Sequence, residues 1–281
     1  MTAGPPQPTG TAIRLIAIDV DGTLLDSAHT LSAGNRRALQ AALAAGCHVT
    51  LATGRQYVYI TPLVAELGLQ SPQITSSGAV ITLPASGEML YADRIAREVA
   101  AETIRLGEQL GITLVVVQNG KTYARAINAD IEHMLTYGDP RPHVAPDLLA
   151  TLDLPPTNIK AIAYRQDELY ARAEAEFQQA LGTQLNIYRS VPYYLEFSAK
   201  SVSKGTALRR VAERLGIGQD AILAIGDGNN DIAMFEAAGL SVAMGNASAA
   251  VQARADAVTG HCDADGVAQA IERFVLGGET G

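Results

Sequence analysis

The chain has 281 residues, of which 48% are hydrophobic and 18% charged, a composition typical of a globular protein with one large domain or two modest ones. Its formal net charge of −8, from 29 acidic and 21 basic residues, argues against a surface that coats nucleic acid. The two cysteines, Cys47 and Cys262, lie far apart in the sequence. We therefore expect neither a disulfide framework nor a CxxC-type zinc or redox site.

The N-terminal segment, residues 1–11, is rich in proline, glycine and threonine. It lacks the basic start and apolar run of a signal peptide, so we predict a flexible tail. No segment approaches about 18 uninterrupted apolar residues, and we predict no membrane span. The predicted location is the cytoplasm, and the sequence leaves the oligomeric state open.

The first part of the chain alternates strand-like and helix-like patterns. Apolar runs at 15–18, 47–52 and 72–77 have the composition of buried strands, and the segments 32–45 and 53–68 between them show helical periodicity. Such alternation is typical of a parallel sheet that is covered by helices on both faces. The sequence therefore predicts an α/β fold for this part.

The last part of the chain repeats this alternation. The predicted elements are a helix at 203–215, a strand at 221–226, a helix at 230–239, a strand at 240–245 and a helix at 265–276. Polar motifs follow the carboxyl ends of these strands or open the helices. In open α/β sheets, ligands bind at that edge, so we expect the functional residues there.

The middle of the chain has a different pattern, which we interpret as an inserted α+β domain. Asn119-Gly120 lies between two β-rich runs and is a two-residue hairpin signal. The other predicted elements are helices at 95–110 and 167–181, strands at 159–164 and 185–198, and a proline-containing loop with one helical turn at 141–156. The predicted domain limits are 12–83 and 192–281 for the core and 84–191 for the insertion.

The first candidate site residues follow the strand at 15–18. Asp19 and Asp21 are separated by one residue, and Gly22 indicates a turn directly after them. Taken alone, the pair is explained equally well as a solvated strand end or as a divalent-cation site, because carboxylate oxygens suit Mg²⁺. Two carboxylates at the end of a buried strand are costly unless a cation or hydrogen bonds compensate them.

A second acidic motif, AIGDGNND, follows the strand at 221–226. It contains Asp227, Asn230 and Asp231. A polar turn that caps the next helix would explain the motif taken alone. We favour the interpretation that it is the other half of the Asp19 site, because it is a second carboxylate cluster at the carboxyl end of a strand.

Two further motifs are candidates for anion binding. Thr53 and Gly54, in LATGR, lie at a strand-to-helix junction, where a hydroxyl and free backbone N–H groups form an anion cradle. Helix capping explains Thr53 equally well. Lys204, in SVSKGTAL, opens a helix, where a cation is slightly unfavourable. It is either a surface lysine or a group that neutralises a bound phosphate.

The segments DVDGTLLD, ATGR, SVSKGTAL and GDGNND occur in this order and between the appropriate elements. Together they resemble the haloacid dehalogenase (HAD) phosphatase superfamily, and specifically its Cof-like, class IIB members, over about residues 13–276. VAMGNA and DGV near the end are also similar to Cof-like sequences. The resemblance implies a Rossmann-like parallel-sheet core that holds Mg²⁺. It also implies a mobile α+β cap, formed by the insertion at 84–191, that determines substrate specificity.

The resemblance implies a role for each matched residue. Asp19 would be the nucleophile and Asp21 the general acid/base, and Asp227 would bind Mg²⁺ together with Asp19 and the backbone carbonyl of Asp21. The phosphate-binding residues would be Thr53, Gly54, Lys204 and Asn230, the last touching either the phosphate or the metal shell. Asp231 would support the site.

One position departs from the Cof-like pattern. Many Cof-like proteins have Asn-Gly-Ala after the third strand, where this sequence has Ser77-Gly78-Ala79. Serine keeps a hydroxyl but lacks the amide, so a substrate contact is not carried over to Ser77.

The implied function is Mg²⁺-dependent removal of phosphate from small phosphorylated metabolites, such as sugar phosphates or phosphorylated cofactors, through an aspartyl-phosphate intermediate. One alternative is a phosphomutase of the same superfamily, of the phosphomannomutase type. Another is a non-catalytic phosphometabolite-binding protein, against which the intact acidic residues argue. No nucleic-acid or membrane partner is expected.

Overall fold

The computed structural model describes residues 12–136, 139–189 and 192–277. The chain divides into two compact units, one formed by the residues up to Tyr91 and from Ser203 onward, and the other by Ala92–Val202. The predicted tail at 1–11 lies outside the described residues. No helix in the described part of the chain is long and apolar enough to cross a bilayer.

Strands and helices alternate at both ends of the chain, and the middle is richer in strands. The strands are β1 (Leu15–Ile18), β2 (His48–Leu51), β3 (Gln73–Thr75), β4 (Val80–Leu83), β5 (Glu88–Ala92), β6 (Thr113–Gln118), β7 (Lys121–Ala124), β8 (His143–Val144), β9 (Asn158–Ile162), β10 (Leu185–Arg189), β11 (Tyr194–Ala199), β12 (Ile222–Gly226), β13 (Leu240–Ala243) and β14 (Ala257–Val258). The helices are α1 (Ala33–Ala44), α2 (Tyr57–Leu67), α3 (Arg97–Leu110), α4 (Ala129–Thr136), α5 (Asp167–Leu181), α6 (Lys204–Leu215), α7 (Ile232–Phe235), α8 (Ala249–Gln252) and α9 (Gly266–Phe274).

The first unit contains a five-stranded parallel sheet in the order β14-β13-β12-β1-β2. Successive residues of β1 point to opposite faces of this sheet. Ile16 and Ile18 pack in one apolar cluster with residues of α1, α2 and α9, and Leu15 and Ala17 pack in another with residues of α6 and α7. The predicted parallel sheet, covered by helices on both faces, is confirmed.

The predicted third strand is present as β3, which belongs to a second, three-stranded sheet in the order β3-β4-β5. β3 pairs antiparallel with β4, because the chain reverses through a tight turn at Ser76–Gly78. One isolated bridge, between Ala52 and Ile74, joins this region to the end of β2.

The second unit contains a six-stranded sheet in the order β10-β11-β9-β6-β7-β8. Its pairs are antiparallel except for the parallel pair β7–β8. The apolar residues of α3 and α5 pack in one cluster with this sheet, and those of α4 pack in another. The predicted α+β insertion is therefore present. The hairpin predicted at Asn119-Gly120 is confirmed, since Gln118 pairs with Lys121 and both turn residues have positive φ.

The limits of this unit differ from the predicted 84–191. β5 belongs to the small sheet of the first unit, whereas β11 is a strand of the six-stranded sheet, so the second unit begins and ends later in the chain. Residues 190–191, within the predicted strand region at 185–198, lie outside the described residues. The helix predicted at 230–239 is shorter, because a 3-10 turn at 229–231 precedes α7.

Candidate active site

Three predicted site residues lie at the carboxyl edge of the parallel sheet. Asp19 directly follows β1, Asp227 directly follows β12, and Thr53 comes two residues after β2. β1 lies between β2 and β12, with every pairing parallel. The carboxyl ends of parallel strands meet at one edge of a sheet, which is where open α/β sheets bind ligands.

Lys204 is the first residue of α6, and its ammonium group lies between two carboxylates. Ser203 caps the helix, since its hydroxyl accepts a hydrogen bond from the Thr206 N–H at 3.0 Å. The Lys204 side chain is only 1% exposed, and its Nζ donates to Asp19 Oδ1 and Asp231 Oδ1, both at 2.6 Å. The interpretation of Lys204 as a surface lysine is therefore wrong.

Asp231 has no exposed surface and anchors the loop after β12. Its Oδ2 accepts hydrogen bonds from the backbone N–H groups of Asp227, at 3.0 Å, and Gly228, at 2.9 Å. Since Oδ1 accepts from Lys204, both oxygens of this carboxylate already have donors. The supporting role of Asp231 stays a prediction.

The Asp227 carboxylate is held by two residues that the sequence interpretation had given no role. Thr23 Oγ1 donates to Asp227 Oδ1 at 3.0 Å, and Asn246 Nδ2 lies 3.3 Å from Asp227 Oδ2. Thr23 belongs to DVDGTLLD and Asn246 to VAMGNA, so both lie in segments that resemble Cof-like sequences. Only their proximity in the folded chain reveals their common partner.

Burial has the largest effect on the pKa values of the acidic groups of this cluster, and the charge of Lys204 has the next largest effect on Asp19. Burial raises the pKa of Asp19, the neighbouring Asp231 and Asp227 raise it further, and Lys204 opposes the shift. Burial also raises the pKa of Asp227. Although burial alone would lower the pKa of Lys204, the Asp19 and Asp231 carboxylates raise it above its ordinary value. One ammonium group thus faces three carboxylates and compensates them only in part.

The donor set of this cluster fits a hard divalent cation. Oxygen atoms of Asp19, Asp227 and Asp231 lie within 4.8 Å of one another. The oxygens of Asp231 are already engaged, but those of Asp19 and Asp227 retain lone pairs. Carboxylate oxygens with uncompensated negative charge are the ligands that Mg²⁺ prefers.

The Asp21 carboxylate is not part of this cluster and interacts with basic side chains instead. Arg55 Nε donates to Asp21 Oδ2 at 2.8 Å, and Arg55 Nη2 donates to Asp21 Oδ1 at 2.5 Å. His29 Nδ1 lies 3.3 Å from Asp21 Oδ1. Arg55 is the last residue of the quoted LATGR, but its contact with Asp21 joins residues 34 positions apart and has no local signal.

Thr53 and Gly54 occupy a loop that is stabilised by a strained turn. Thr53 is 1% exposed and its hydroxyl accepts from the Arg55 N–H at 3.1 Å, whereas Gly54 is exposed. The Ser77 N–H donates to the Thr53 carbonyl at 2.9 Å. Ser76, Ser77 and Gly78 have φ values of 50°, 56° and 104°. Left-handed φ is unfavourable for serine, so this turn stores backbone strain.

The same turn packs closely against the start of α6. A Cβ atom at Gly78 would lie 2.2 Å from the Ser203 carbonyl oxygen, so only glycine fits there. A Cβ at Gly54 would lie 3.4 Å from Ser77 Oγ. The turn therefore connects the Thr53 loop to the helix that carries Lys204.

Four of the predicted site residues form one cluster, namely Asp19, Lys204, Asp227 and Asp231. Asn230 is exposed and lies beside Gly228, where a Cβ would be 2.7 Å from Asn230 Oδ1, and no hydrogen bond links it to the cluster within the described residues. Its contact with phosphate or with the metal shell stays a prediction.

Residues 16–271 match the haloacid dehalogenase-like hydrolase family. Similar proteins include the 5-amino-6-(5-phospho-D-ribitylamino)uracil phosphatase YcsE of Bacillus subtilis, with 32% identity over 94% of this chain and 96% of that protein. The pyridoxal phosphate phosphatase YbhA of Escherichia coli is 30% identical over 94% of this chain and 99% of its own length. A solved HAD subclass IIB sugar phosphatase is 25% identical, with a TM-score of 0.80 over 93% of this chain and 98% of that one.

The parallel sheet with its acidic carboxyl edge, interrupted by an α+β insertion, is the architecture of a HAD-type hydrolase with a cap domain. The chain belongs to the haloacid dehalogenase-like hydrolase family. Within it, the protein is a phosphatase of the Cof-like, class IIB type. The fold class expected from the four motifs is confirmed.

Proposed function

We propose that this protein is a Mg²⁺-dependent phosphatase that hydrolyses small phosphorylated metabolites through an aspartyl-phosphate on Asp19. The observation that carries the proposal is the cluster of the buried Asp19 and Asp231 and the half-buried Asp227 around Lys204 at the carboxyl edge of the sheet. Buried carboxylates of this kind are costly without a further cation, and such groups concentrate at functional sites.

Asp19 is the proposed nucleophile. Its Oδ1 is fixed by Lys204 at 2.6 Å, which leaves Oδ2 to attack phosphorus while the bond to the leaving oxygen breaks. The proposed magnesium ligands are the carboxylates of Asp19 and Asp227 and the backbone carbonyl of Asp21. When bound, Mg²⁺ supplies positive charge that offsets the repulsion between a carboxylate and the phosphate anion.

Lys204 and the Thr53 loop are the proposed phosphate-binding groups. Lys204 is positioned to neutralise charge on the phosphate oxygens, because its ammonium already contacts the nucleophile. The other proposed phosphate-binding groups are Thr53, the exposed backbone at Gly54, and Asn230. Asp231 would act indirectly by orienting Lys204 and the Asp227 backbone, to both of which it is hydrogen-bonded.

Asp21 is the proposed general acid/base. In the first step it would give a proton to the leaving oxygen, which departs as an alcohol. In the second step it would take a proton from the water that attacks phosphorus, and the bond from phosphorus to Asp19 breaks to release inorganic phosphate. Arg55 supports this role as an orienting group, because it contacts both oxygens of Asp21.

The proposed substrates are small phosphorylated metabolites, such as sugar phosphates or phosphorylated cofactors. Two similar proteins are named as phosphatases of a phosphoribityl compound and of pyridoxal phosphate, and a similar solved structure as a sugar phosphatase. The insertion, Ala92–Val202, is the proposed determinant of specificity. The cytoplasm remains the predicted location.

Phosphate release from a panel of phosphorylated metabolites tests the proposal. We expect release that requires Mg²⁺, is abolished by EDTA, and falls to the background rate in Asp19→Asn. Asp26→Asn is a matched control from the same motif. Among the described residues, the Asp26 carboxylate accepts side-chain hydrogen bonds from the Ala28 and Thr30 N–H groups alone, and the amide oxygen of asparagine can accept both. Phosphate release by Asp19→Asn at the wild-type rate would refute the assignment of Asp19 as the nucleophile. Isomerised sugar phosphate without free phosphate would identify a mutase instead.

Leaving-group dependence tests the role of Asp21. Asp21→Asn should lower turnover by about 10²–10⁴-fold for alkyl phosphates, whose alkoxide leaving groups need a proton. For aryl phosphates, whose acidic leaving groups do not need a proton, the rate of the first step should fall much less. Equal losses for both classes, in rapid measurements of the first phosphoryl transfer, would argue against Asp21 as the acid.

A further inference from the structure

Both polar atoms of the Asn246 side chain form hydrogen bonds, and these bonds join three separate segments of the first unit. Its Nδ2 donates to the Gly22 carbonyl at 2.7 Å and lies 3.3 Å from Asp227 Oδ2. Its Oδ1 accepts from the Cys262 N–H at 3.0 Å. A backbone carbonyl can only accept and a backbone N–H can only donate, so these partners fix the orientation of the amide.

The segments joined by Asn246 are those that carry the proposed metal ligands. Gly22 directly follows Asp21, whose carbonyl is one of these ligands. It has a φ of 72°, and a Cβ at this position would lie 2.7 Å from Asp227 Oδ2. The backbone at Gly22 therefore approaches the Asp227 carboxylate closely, and Asn246 contacts both.

Asn246 is itself held in place by its neighbours. The Gly245 N–H donates to the Gly260 carbonyl at 2.9 Å, and a Cβ at Gly245 would lie 3.0 Å from Gly260 and His261 backbone atoms. The chain after β13 is thus packed directly against the segment that supplies Cys262. A side chain whose backbone is held in place in this way can determine where its hydrogen-bond partners lie.

We infer that Asn246 is a positioning residue for the metal site, which holds the Asp227 carboxylate and the Asp21-Gly22 backbone at the spacing that Mg²⁺ binding requires. The inference rests on the proposed function. Together with Thr23, Asn246 gives each oxygen of Asp227 one neutral donor and leaves lone pairs for a cation. Residues that hydrogen-bond to metal ligands in this way typically change metal affinity by about 10–100-fold when they are removed.

Asn35 provides a matched control. Its Nδ2 donates to the Leu24 carbonyl at 3.1 Å and its Oδ1 accepts from the Ala268 N–H at 2.9 Å, so it also joins the segment after β1 to a late segment of the chain. None of its hydrogen bonds in the described residues involves a carboxylate of the cluster. Removing it should loosen the same region without a direct effect on Asp227.

The test is calorimetric titration of MgCl₂ into the full chain without substrate, for wild type, Asn246→Ala, Asn246→Leu and Asn35→Ala. Asn246→Leu keeps the branched shape of the side chain at a larger volume, and it provides a second variant if the smaller substitution unfolds the loop. We expect the Kd for Mg²⁺ to rise about 10–100-fold in the Asn246 variants and to change less than about threefold in Asn35→Ala. Excess Mg²⁺ should restore much of the kcat of the Asn246 variants.

The outcomes separate this inference from the proposed function. Wild-type Mg²⁺ affinity in a folded Asn246 variant would overturn the inference, and so would an equal loss of affinity in Asn35→Ala. Phosphate release by the wild type would still support the proposed function in either case. A wild type that neither binds Mg²⁺ nor releases phosphate would overturn both.

Discussion

Each compact unit of this protein contains a largely buried lysine between two carboxylates. Lys204 in the first unit is 1% exposed and contacts Asp19 and Asp231. Lys160 in the second unit is 14% exposed and its Nζ donates to both oxygens of Asp139, at 2.8 and 3.0 Å. Burial alone would lower the pKa of Lys160. Glu196, which lies opposite Lys160 on β11, and Asp139 together raise this pKa above its ordinary value.

The two clusters differ in the number of carboxylates that share one lysine. Neutral donors add to the lysine in both: Glu196 Oε2 accepts from Asn158 Nδ2 at 3.1 Å and from the Tyr188 hydroxyl at 3.4 Å, and Asp227 accepts from Thr23 and Asn246. In the first unit, a third carboxylate, Asp227, joins the cluster and one ammonium faces three acids. A buried lysine–carboxylate pair therefore does not by itself indicate an active site. Excess negative charge at the carboxyl edge of a parallel sheet does.

Replacing Lys204 should have the largest effect, because this lysine is in contact with two carboxylates of the proposed active site. Lys204→Met leaves the buried Asp19 and Asp231 without their cation, next to the half-buried Asp227, so we expect loss of phosphate release. We also expect about 3–5 kcal/mol less free energy of unfolding in EDTA. Urea unfolding and phosphate release measure the two effects. Lys200→Met is the control, because Lys200 is exposed and only four residues away. Comparable activity in both variants would contradict the assigned site.

Replacing Lys160 should affect stability without affecting the metal site. Lys160→Met leaves Asp139 and Glu196 uncompensated, but all three groups keep some solvent exposure, so we expect a loss of about 1–3 kcal/mol in the free energy of unfolding. The Kd for Mg²⁺ should be unchanged. Lys121→Met, at an exposed lysine of the same sheet, should be nearly neutral. Loss of Mg²⁺ binding in Lys160→Met would show that the two clusters are not independent.

The smallest expected effect concerns backbone strain, which also differs between the units. Ser77 and Asn119 have similar left-handed φ values, 56° and 48°, but asparagine tolerates this conformation better than serine. We expect Ser77→Asn to stabilise the protein by about 0.5 kcal/mol and Asn119→Ser to destabilise it by a similar amount. Urea unfolding of both variants measures the difference. A shift of the same sign in both would contradict this explanation.

Local patterns predicted the elements well where hydrophobic periodicity was strong. The predicted helix at 167–181 has the limits of α5, and the turn at Asn119-Gly120 forms as its residue types require. The third strand also forms where it is predicted, but its antiparallel pairing with β4 is not predicted, because periodicity indicates that a segment is extended but not which strand it pairs with. The sharp reversal at Ser76–Gly78, which directs β3 onto β4, has only Gly78 as a local signal.

The sequence by itself determined the fold class and predicted the acidic residues that meet at the candidate site, because motifs after strands of a parallel sheet converge at one edge whatever the detailed packing. Only the tertiary structure decided which groups interact there. Lys204 meets Asp19 across 185 positions of sequence, and Asn246 meets Gly22 across 224. Whether a lysine is buried or an amide bridges two loops depends on how distant segments pack, and local periodicity carries no information about that packing.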